Sequence, residues 1–408
     1  MEYPPYLRVS SFCTGNIGLS DGQVLVTGGT ARFPQDKTQP TDPAFTGAKL
    51  LATFRQGETT LRPLGSGLSV ARWYPTNVAL NARQVVVLGG LDDAGATVAA
   101  PEVVDVVTGV SRVLSAVDLR PLGFSYPRAV QVSSNQVIVM RRWDGRPYLL
   151  DTTGAGSLTP LPKTAALPTG PIASVGNGRF LVAGSFSERL GVRSAMLAQV
   201  SASGITIDEQ SEMIEPRTYH ELTTLPDGSV LATGGTDGET TSKHHLGAER
   251  WVAGQGWTAM APAALRRGYH STAALLRDGT VIKMGSTRPV QTQAEIFYPP
   301  YLFDATGKPR TRPVVQSVSR IGSGGRADID IVMSSDGPVS KVNLVRLGAT
   351  THQTETGQVF VPTKFTQNGR RLTVSVPQDT SLAPAGRYWA FMLNSDGTPS
   401  MGWNVRIH

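Results

Sequence analysis

The sequence lacks the features that mark disulfide-stabilised proteins and membrane proteins. Its 408 residues include one cysteine, Cys13, which excludes an intrachain disulfide and any Cys₄ or Cys₂His₂ zinc site. No apolar run approaches the roughly 18–20 residues of a membrane-spanning helix, so no membrane span is predicted. The first residues show no basic start followed by a long apolar stretch, and the sequence therefore predicts no signal peptide.

Charged residues are also scarce, at 17% of the chain against roughly 25% in an ordinary soluble protein. The formal net charge of +7 would suit an acidic partner, but the lysines and arginines are scattered along the chain. Because nucleic-acid binding requires a clustered basic face, we predict no nucleic-acid partner. Turn-forming residues are abundant instead, with 44 glycines and 28 prolines, which indicates many turns and few helices.

Six segments of the chain repeat one pattern, in which an alternating apolar stretch leads into a polar turn and then a β-branched strand. The turns are anchored by Asp21, Arg83, Ser134, Asn177, Asp227 and Asp278, at spacings of 62, 51, 43, 50 and 51 residues. This period is typical of kelch-type propeller blades, which place four antiparallel strands in about 50 residues. We therefore predict an all-β fold with a kelch-type β-propeller over residues 1–306, in which six blades are visible.

The two ends of the repeat region carry further signals. Residues 3–7 are identical to residues 298–302, which suggests that the chain begins in the tail of a blade whose earlier strands are absent. Chance similarity of a proline-rich pentapeptide is the alternative. After about Gly307, short alternating segments separated by turns predict an immunoglobulin-like β-sandwich of about seven strands over residues 307–408.

The repeat frame aligns side chains that lie far apart in the sequence. Counting back seven to ten residues from the turn anchors gives Phe12-Cys13, Trp73-Tyr74, Tyr126, Tyr219-His220 and Tyr269-His270. If the strand that these residues begin is the innermost one of each blade, they surround the propeller axis. Cys13, Tyr74, Tyr269 and His270 would then lie within reach of one another, in the kind of central channel where propellers commonly hold sites.

A thiol, two phenols and an imidazole form an unusual set of side chains. Imidazole nitrogen and phenolate oxygen suit Cu(II), which favours tetragonal N,O coordination. A second imidazole would complete a four-cornered site, and the candidates are His220, His244, His245, His352 and His408.

The chain resembles the copper radical oxidases, the family of galactose oxidase and glyoxal oxidase. The resemblance covers nearly the whole chain and rests on five motifs in family order: Phe12-Cys13, Arg-Trp-Tyr-Pro at 72–75, Arg-Gly-Tyr-His-Ser at 267–271, AEIFYPPYL from Ala294, and Ala-Thr-Thr-His at 349–352. It implies a seven-bladed propeller followed by an early-set domain. The separation of 61 residues between Cys13 and Tyr74 looks more like the glyoxal oxidase branch, which favours small aldehydes or simple alcohols over a hexose.

The resemblance also implies a cofactor and a reaction. Cys13 and Tyr74 would be joined by a thioether, and Tyr74, Tyr269, His270 and His352 would bind copper. The substrate would give a proton to Tyr269 and a hydrogen atom to the Tyr74–Cys13 radical, and O₂ would leave as H₂O₂. Two electrons leave the substrate while Cu(II) accepts one, so the modified tyrosine must hold the second hole. The implied partners are a small aldehyde or alcohol and O₂, the expected state is a monomer, and the family is usually extracytoplasmic or secreted.

Several residues have a second interpretation. Tyr219-His220 occupies nearly the same frame as Tyr269-His270, and we choose the latter as ligands because it directly precedes AEIFYPPYL. We expect His244 and His245 to be exposed in a polar loop. The aromatic residue that shields the radical in the family is not assigned: Trp73 and Trp143 are candidates, and a missing N-terminal segment is the alternative place for it. Arginines that could line a substrate mouth are Arg128, Arg141 and Arg142.

A different class of function is also compatible with this fold. A non-catalytic kelch propeller that binds a protein or a glycan is the alternative, since propellers host both enzymes and binding modules. An oxidase impaired by a missing blade is a third hypothesis.

Overall fold

The structure is a computed structural model that describes residues 10–32, 45–162, 167–186, 190–201, 204–238, 243–287, 289–321 and 328–408. These residues form β-strands joined by turns, with short 3₁₀ helices at Arg120–Leu122 and Pro300–Leu302 and no α-helix. No helix in the described ranges is long and apolar enough to cross a membrane. The similarity between residues 3–7 and 298–302 involves residues outside those described.

Three antiparallel sheets follow one another in the first part of the chain. The first contains β1 (Ser10–Gly18), β2 (Gln23–Arg32), β3 (Thr46–Gly47), β4 (Leu51–Arg55) and β5 (Arg62–Pro63). The second contains β6 (Thr76–Ala79), β7 (Gln84–Leu88), β8 (Glu102–Asp105) and β9 (Ser111–Val113). The third contains β10 (Arg128–Gln131), β11 (Gln136–Met140), β12 (Pro147–Asp151) and β13 (Ser157–Pro160).

Three further sheets of the same kind come next. The fourth sheet contains β14 (Ile172–Gly176), β15 (Arg179–Ala183), β16 (Ala195–Ser201) and β17 (Gly204–Glu209). The fifth contains β18 (Thr218–Thr224), β19 (Val230–Thr236), β20 (Ala248–Val252) and β21 (Gly256–Met260). The sixth has three described strands, β22 (Thr272–Leu275), β23 (Val281–Met284) and β24 (Glu295–Phe297).

Each of the six predicted turns joins the first two strands of a sheet. In the first turn the Asp21 carboxylate accepts a hydrogen bond from the backbone N–H of Gln23 at 3.0 Å, and Gly22 has a φ of 91°. Asp227 and Asp278 accept the same bond from the residues two positions later. The aspartate holds the turn and the glycine supplies the positive φ, which is why this dipeptide predicted the hairpins.

The C-terminal strands form a sandwich of two four-stranded sheets. In chain order the strands are β25 (Val315–Ile321), β26 (Asp328–Met333), β27 (Lys341–Arg346), β28 (Ala349–Thr351), β29 (Thr354–Thr356), β30 (Phe360–Pro362), β31 (Lys364–Asn368), β32 (Arg371–Ser375), β33 (Gly386–Leu393) and β34 (Trp403–Ile407). One sheet has the order β25-β26-β32-β31 and the other β30-β27-β33-β34, while β28 and β29 form a separate hairpin. Ile331, Leu344, Leu372 and Met392 are buried between the two sheets.

The chain divides into two compact units, the first comprising Met1–Leu167 with Ser201–Ile205 and the second Pro168–Val200 with Thr206–His408. Within the second unit a buried cluster joins blade and sandwich residues, among them Leu231, Val281, Val345 and Phe391. This packing fixes the sandwich, with its β28–β29 hairpin, against the fifth and sixth sheets. The domain boundary at 306/307 stays a prediction.

Candidate metal centre

Five residues of the repeat frame share a backbone conformation that is uncommon outside glycine. Cys13, Tyr74, Tyr126, Tyr219 and His270 all have positive φ, between 40° and 66°. Cys13 and Tyr219 lie in the first strand of their sheet, and the other three precede that strand by two residues. The left-handed region costs a non-glycine residue roughly 1–2 kcal/mol, and such strain is found mainly at functional sites. Because this strain recurs at the start of five sheets, we take these five positions, which we call the corners of the sheets, as the candidate site.

Close backbone packing against glycine supports these corners. A Cβ atom on Gly28 would lie 2.4 Å from the carbonyl oxygen of Arg72, and one on Gly235 would lie 2.6 Å from that of Thr218. Both glycines also have positive φ. No other residue type fits either position without movement of the backbone, so these glycines allow each corner to lie directly against a neighbouring strand.

In the first unit, Cys13, Trp73, Tyr74 and Tyr126 form a buried cluster, which we call the thiol cluster. The backbone N–H of Tyr74 donates to the carbonyl of Cys13 at 3.1 Å, and that of Tyr126 donates to the carbonyl of Tyr74 at 2.9 Å. The Tyr126 hydroxyl donates to the carbonyl of Thr14 at 3.1 Å. Three consecutive sheets are therefore tied together at the corners that carry the cluster.

The thiol of Cys13 is buried and in contact with Tyr74. Burial raises the pKa of Cys13 to about 12, and hydrogen bonds with Tyr74 and Trp73 oppose that shift. The group is therefore a neutral thiol at neutral pH, unlike the low-pKa thiolates of nucleophilic cysteines. The structure thus holds a neutral thiol beside the phenol of Tyr74.

Of the two tryptophans considered as a radical shield, Trp73 contacts Tyr74. The two rings meet edge to face, with centroids 4.0 Å apart and planes at 86°. The face of Trp73 stacks instead on Phe45, at 4.6 Å and 7°. Trp143 is 60% exposed and lies under the guanidinium of Arg141 at 5.6 Å.

In the second unit, Tyr269, His270 and His352 bring their rings together, and we call them the imidazole cluster. The ring centroids of Tyr269 and His270 are 3.9 Å apart, those of His270 and His352 are 4.3 Å apart, and those of Tyr269 and His352 are 5.4 Å apart. His352 lies in the turn between β28 and β29, where it and Gln353 also have positive φ. The hairpin of the sandwich thus carries a histidine to the corner of the sixth sheet.

Hydrogen bonds hold this hairpin in place. The Thr350 hydroxyl lies 2.7 Å from that of Thr272 and donates to the carbonyl of Ala273 at 3.2 Å. The carboxyl of Glu355 accepts hydrogen bonds from the backbone N–H groups of Ala349 at 2.8 Å and of Gln358 at 3.2 Å. Burial raises the pKa of Glu355 to about 7, although these two bonds oppose the shift.

Threonine hydroxyls orient both rings of the imidazole cluster. The hydroxyl of Thr287 lies 3.2 Å from Nδ1 of His270, and that of Thr351 lies 2.7 Å from Nδ1 of His352. Burial and the neighbouring His270 lower the pKa of His352 well below its usual range, so the imidazole is neutral. A neutral imidazole whose Nδ1 is bonded to a second group presents Nε2 to a metal, as metal-binding histidines commonly do.

The remaining histidines have other surroundings. His220 is fully buried, with Cε1 packed against Gly184 and a pKa that burial lowers well below its usual range. The expectation that His245 is exposed is wrong: it is 6% exposed, with Nε2 2.6 Å from the Asp237 carboxylate and Nδ1 3.4 Å from that of Glu215. These two acidic partners make burial of the ring possible. His408 is exposed and His244 is half-buried.

Sequence reasoning did not identify a buried polar network behind His270. The Ser271 hydroxyl donates to Glu221 at 2.7 Å, and the ammonium of Lys283 forms an ion pair with Glu221 and donates to the carbonyl of Thr233 at 2.8 Å. All four side chains are buried. In the sequence, the sign of this network is Lys283, a charged residue within the otherwise apolar strand β23. The sequence analysis favours Tyr269 over Tyr219 as a metal ligand. In the structure, the centroids of these two rings lie 5.2 Å apart.

Buried arginines stabilise three of the corners through ion pairs and hydrogen bonds. Arg72, Arg217 and Arg267 each lie two residues before a tyrosine of the frame and pair with Glu102, Glu249 and Glu295, respectively. In the sixth sheet, the guanidinium of Arg267 also donates to the carbonyls of Gly285 and Gln293, both at 2.8 Å. The arrangement recurs in the second and fifth sheets.

The arginines considered for a substrate mouth have different environments. Arg128 is buried, and desolvation, followed by the charge of Arg142, lowers its pKa to about 9, which leaves it protonated at neutral pH. Arg141 forms an ion pair with Asp144. Arg142 packs against the backbone of Gly123.

Parts of this chain are similar in sequence to known oxidases. Residues 312–407 match the family model described as "Galactose oxidase-like, Early set domain". A galactose oxidase of Gibberella zeae is 32% identical over 223 residues, which are 52% of this chain and 32% of that protein. The aldehyde oxidase GLOX of Vitis pseudoreticulata is 26% identical over 388 residues, which are 83% of this chain and 72% of that protein.

A solved structure extends the similarity to the fold of almost the whole chain. It is a fungal alcohol oxidase of the AA5 family in complex with copper, with a TM-score of 0.85 and 23% identity over 98% of this chain and 85% of that one. The resemblance to the copper radical oxidases is confirmed. The all-β fold, a β-propeller followed by an early-set β-sandwich, is confirmed with it.

The match to galactose oxidase covers only part of that protein. The segment aligned with galactose oxidase spans about a third of that protein's length, 32%. The early-set match lies inside the predicted domain at 307–408. The activity, the substrate and the metal ligands of this chain therefore do not follow from these relatives alone.

Proposed function

We propose that this chain is a copper-dependent oxidase that removes two electrons from a small aldehyde or primary alcohol and reduces O₂ to H₂O₂. The observation that carries the proposal is the imidazole cluster. Two imidazoles and a phenol, held by residues of the sixth sheet and of the β28–β29 hairpin, have ring centroids within 5.4 Å of one another. A binding module has no need of such a group.

The donor set of the imidazole cluster fits copper. Two imidazole nitrogens and a phenolate oxygen match the N,O ligands that Cu(II) prefers, and the threonine hydroxyls on both Nδ1 atoms supply the outer hydrogen bonds that metal-binding histidines commonly make. The proposed ligands are Tyr269, His270 and His352, with Tyr74 as the fourth. The assignment of Tyr74 rests on the family resemblance.

The thiol cluster would supply the radical. We propose a thioether between Cys13 and Tyr74, supported by the contact between the buried thiol and that phenol. A thioether-substituted tyrosine is easier to oxidise than an ordinary one, so it can hold one of the two oxidising equivalents. Bound copper would act as a Lewis acid and accept the other electron. The ring of Trp73 lies edge to face against that of Tyr74, with the centroids 4.0 Å apart.

The protein side chains then have distinct roles. Tyr269, as phenolate, would accept the proton of the substrate hydroxyl, and the oxygen of the modified Tyr74 would take a hydrogen atom from the adjacent carbon. With one further electron leaving the substrate, an alcohol becomes an aldehyde, or an aldehyde hydrate becomes an acid. The two protons and two electrons reduce O₂ to H₂O₂, which balances the reaction.

Relatives guide the choice of substrate and location. The similar proteins are named galactose oxidase, aldehyde oxidase and alcohol oxidase, and we favour small aldehydes and primary alcohols, with O₂ as the second substrate. We propose an extracytoplasmic or secreted location by the same resemblance.

The experiment that tests this function is copper loading under air. The purified chain and Cys13→Ala are incubated with Cu(II) and run on a denaturing, reducing gel, while peroxide release is assayed with glyoxal, methylglyoxal and simple primary alcohols. We expect a mobility shift that requires both copper and Cys13, followed by peroxide release with one substrate class. Tyr126→Phe, which leaves Cys13 and Tyr74 in place, is the matched control and should still shift.

Absence of the shift, together with absence of stoichiometric copper, would overturn the proposal. The chain would then be a binding propeller or an oxidase unable to mature. Stoichiometric copper without a shift would retain the metal site and reject the thioether.

A further inference from the structure

The sandwich carries two arginines that face each other across a strand pair. In the register of β33 and β34, Arg387 lies directly opposite Arg406. Residues directly opposite in an antiparallel pair have Cβ atoms about 5 Å apart and point to the same face. The neighbouring Tyr388 and Val405 are buried in the sandwich core, which places both arginines on the other face of this sheet.

Neither arginine is neutralised by a carboxylate among the described residues. The Nε atoms of both are shielded from water and have no hydrogen-bond partner in the described part of the chain. The guanidinium of Arg387 donates to the side-chain oxygen of Asn404 at 3.1 Å, which adds no negative charge. Two buried Nε–H donors are thus left without the hydrogen-bond partners that buried polar groups normally have.

A third arginine adds to the positive charge at this place. The pKa of His408 is lowered by burial and, in addition, by Arg406, Arg320 and Arg387. The charges of three guanidinium groups, two from one sheet and Arg320 from β25 of the other, therefore act on one imidazole. This edge of the sandwich is strongly electropositive.

Two other arginines of the sandwich region are paired with carboxylates. Arg371 pairs with Asp330 at 2.8 Å, and Arg310 pairs with Asp396 at 3.2 Å. Like charges directly opposite in a sheet are destabilising by up to about 1 kcal/mol. The Arg387–Arg406 pair is thus an unfavourable arrangement in the isolated fold that a bound anion would make favourable.

We propose that Arg387 and Arg406 form an oxyanion site, for a sulfate or phosphate group that is either a free ion or carried on an anionic polysaccharide. Guanidinium groups present paired N–H donors that match the oxygens of such groups, and these charge-assisted bonds are the strong ones. The site lies on the sandwich and uses no residue of the imidazole or thiol clusters, so it is independent of the proposed oxidase activity.

The test measures thermal unfolding of the full chain as sulfate or phosphate is added, against sodium chloride at equal ionic strength. A ligand that binds the folded state raises the melting temperature in a saturable way. We expect such a rise with wild type, and an apparent affinity weaker by about tenfold or more in Arg387→Gln and Arg406→Gln, because each loses charge-assisted bonds. Arg371→Gln, on the same sandwich but paired with Asp330, should bind as wild type does.

Two further arms identify the source of the anion and protect against misfolding. Dextran sulfate that binds more tightly than free sulfate, with neutral dextran inactive, would assign the site to a polymer, whereas equal affinity would assign it to a free ion. Both variants should melt at or above the wild-type temperature without anion, since each removes a like-charge contact. Equal anion responses of wild type and the Arg387→Gln/Arg406→Gln double variant would overturn the proposal.

Discussion

At the residue scale, a single hydroxyl is hydrogen-bonded to His352, one of the proposed copper ligands. The hydroxyl of Thr351 lies 2.7 Å from Nδ1 of the adjacent His352, and both residues lie at the end of the β28–β29 hairpin. A histidine that loses such a partner can rotate and can adopt the other tautomer. The backbone of His352 has a strained φ of 50°. The backbone conformation therefore also helps to fix where the imidazole lies.

We expect Thr351→Val to weaken Cu(II) binding by about 10- to 100-fold, the usual cost of removing an outer-shell partner of a metal-binding histidine. The measurement is Cu(II) affinity by competition with a chelator, together with the electron paramagnetic resonance spectrum of the bound ion. Thr351→Ser retains the hydroxyl and should restore both. Equal weakening in the serine and valine variants would contradict this prediction, because serine retains the hydroxyl and valine does not.

At the scale of elements, a buried ion pair joins the first strand of the fifth sheet to the second strand of the sixth. Glu221 on β18 and Lys283 on β23 are both almost fully buried, and Ser271, which follows the proposed ligand His270, donates to the same carboxylate. Such pairs contribute little net stability, but removal of one member leaves an unpaired buried charge. The pair therefore specifies how these two sheets meet beside His270.

We expect Lys283→Met to lower the free energy of unfolding by about 3–5 kcal/mol because Glu221 would remain charged and buried. The double variant Glu221→Gln/Lys283→Met should regain much of that loss. Urea unfolding monitored by fluorescence measures both. Arg371→Gln, which breaks a pair whose arginine side chain is 65% exposed, should cost about 1 kcal/mol or less. A double variant as unstable as Lys283→Met would contradict this account.

At the scale of the whole molecule, the repeat was readable because it is local. Each hairpin is encoded by a turn such as Asp21-Gly22, whose hydrogen bond and positive φ involve neighbouring residues. His352 lies outside the repeat frame, on another kind of domain, so only the family motif pointed to it. The burial of His245 depends on Asp237 and on the more distant Glu215, and no local pattern in the sequence indicates such partners.

The pH dependence of stability is a property of the whole fold to which Glu355 should contribute measurably. Burial raises the pKa of this carboxyl from 4.5 to about 7, so the folded chain favours its neutral form. Among the residues that the structure describes, Arg346 is the charged side chain that acts on it, and its charge opposes the shift. Because the folded pKa lies above the unfolded one, stability from the neutral carboxyl is complete below about pH 4.5 and lost as the pH rises through 7.

Glu355→Gln keeps an oxygen that can accept from Ala349 and Gln358 but does not ionise. We expect wild type to lose stability relative to this variant between pH 5 and pH 8, by on the order of 3 kcal/mol, since each pKa unit corresponds to about 1.4 kcal/mol. Denaturant unfolding of the copper-free chain across this range measures the difference, and Asp330→Asn, at a carboxyl paired with Arg371, serves as the control with no such trend. A wild-type-to-variant difference that stays constant with pH would show that Glu355 does not titrate in this range, and the hairpin of His352 would then rest on an already ionised carboxylate.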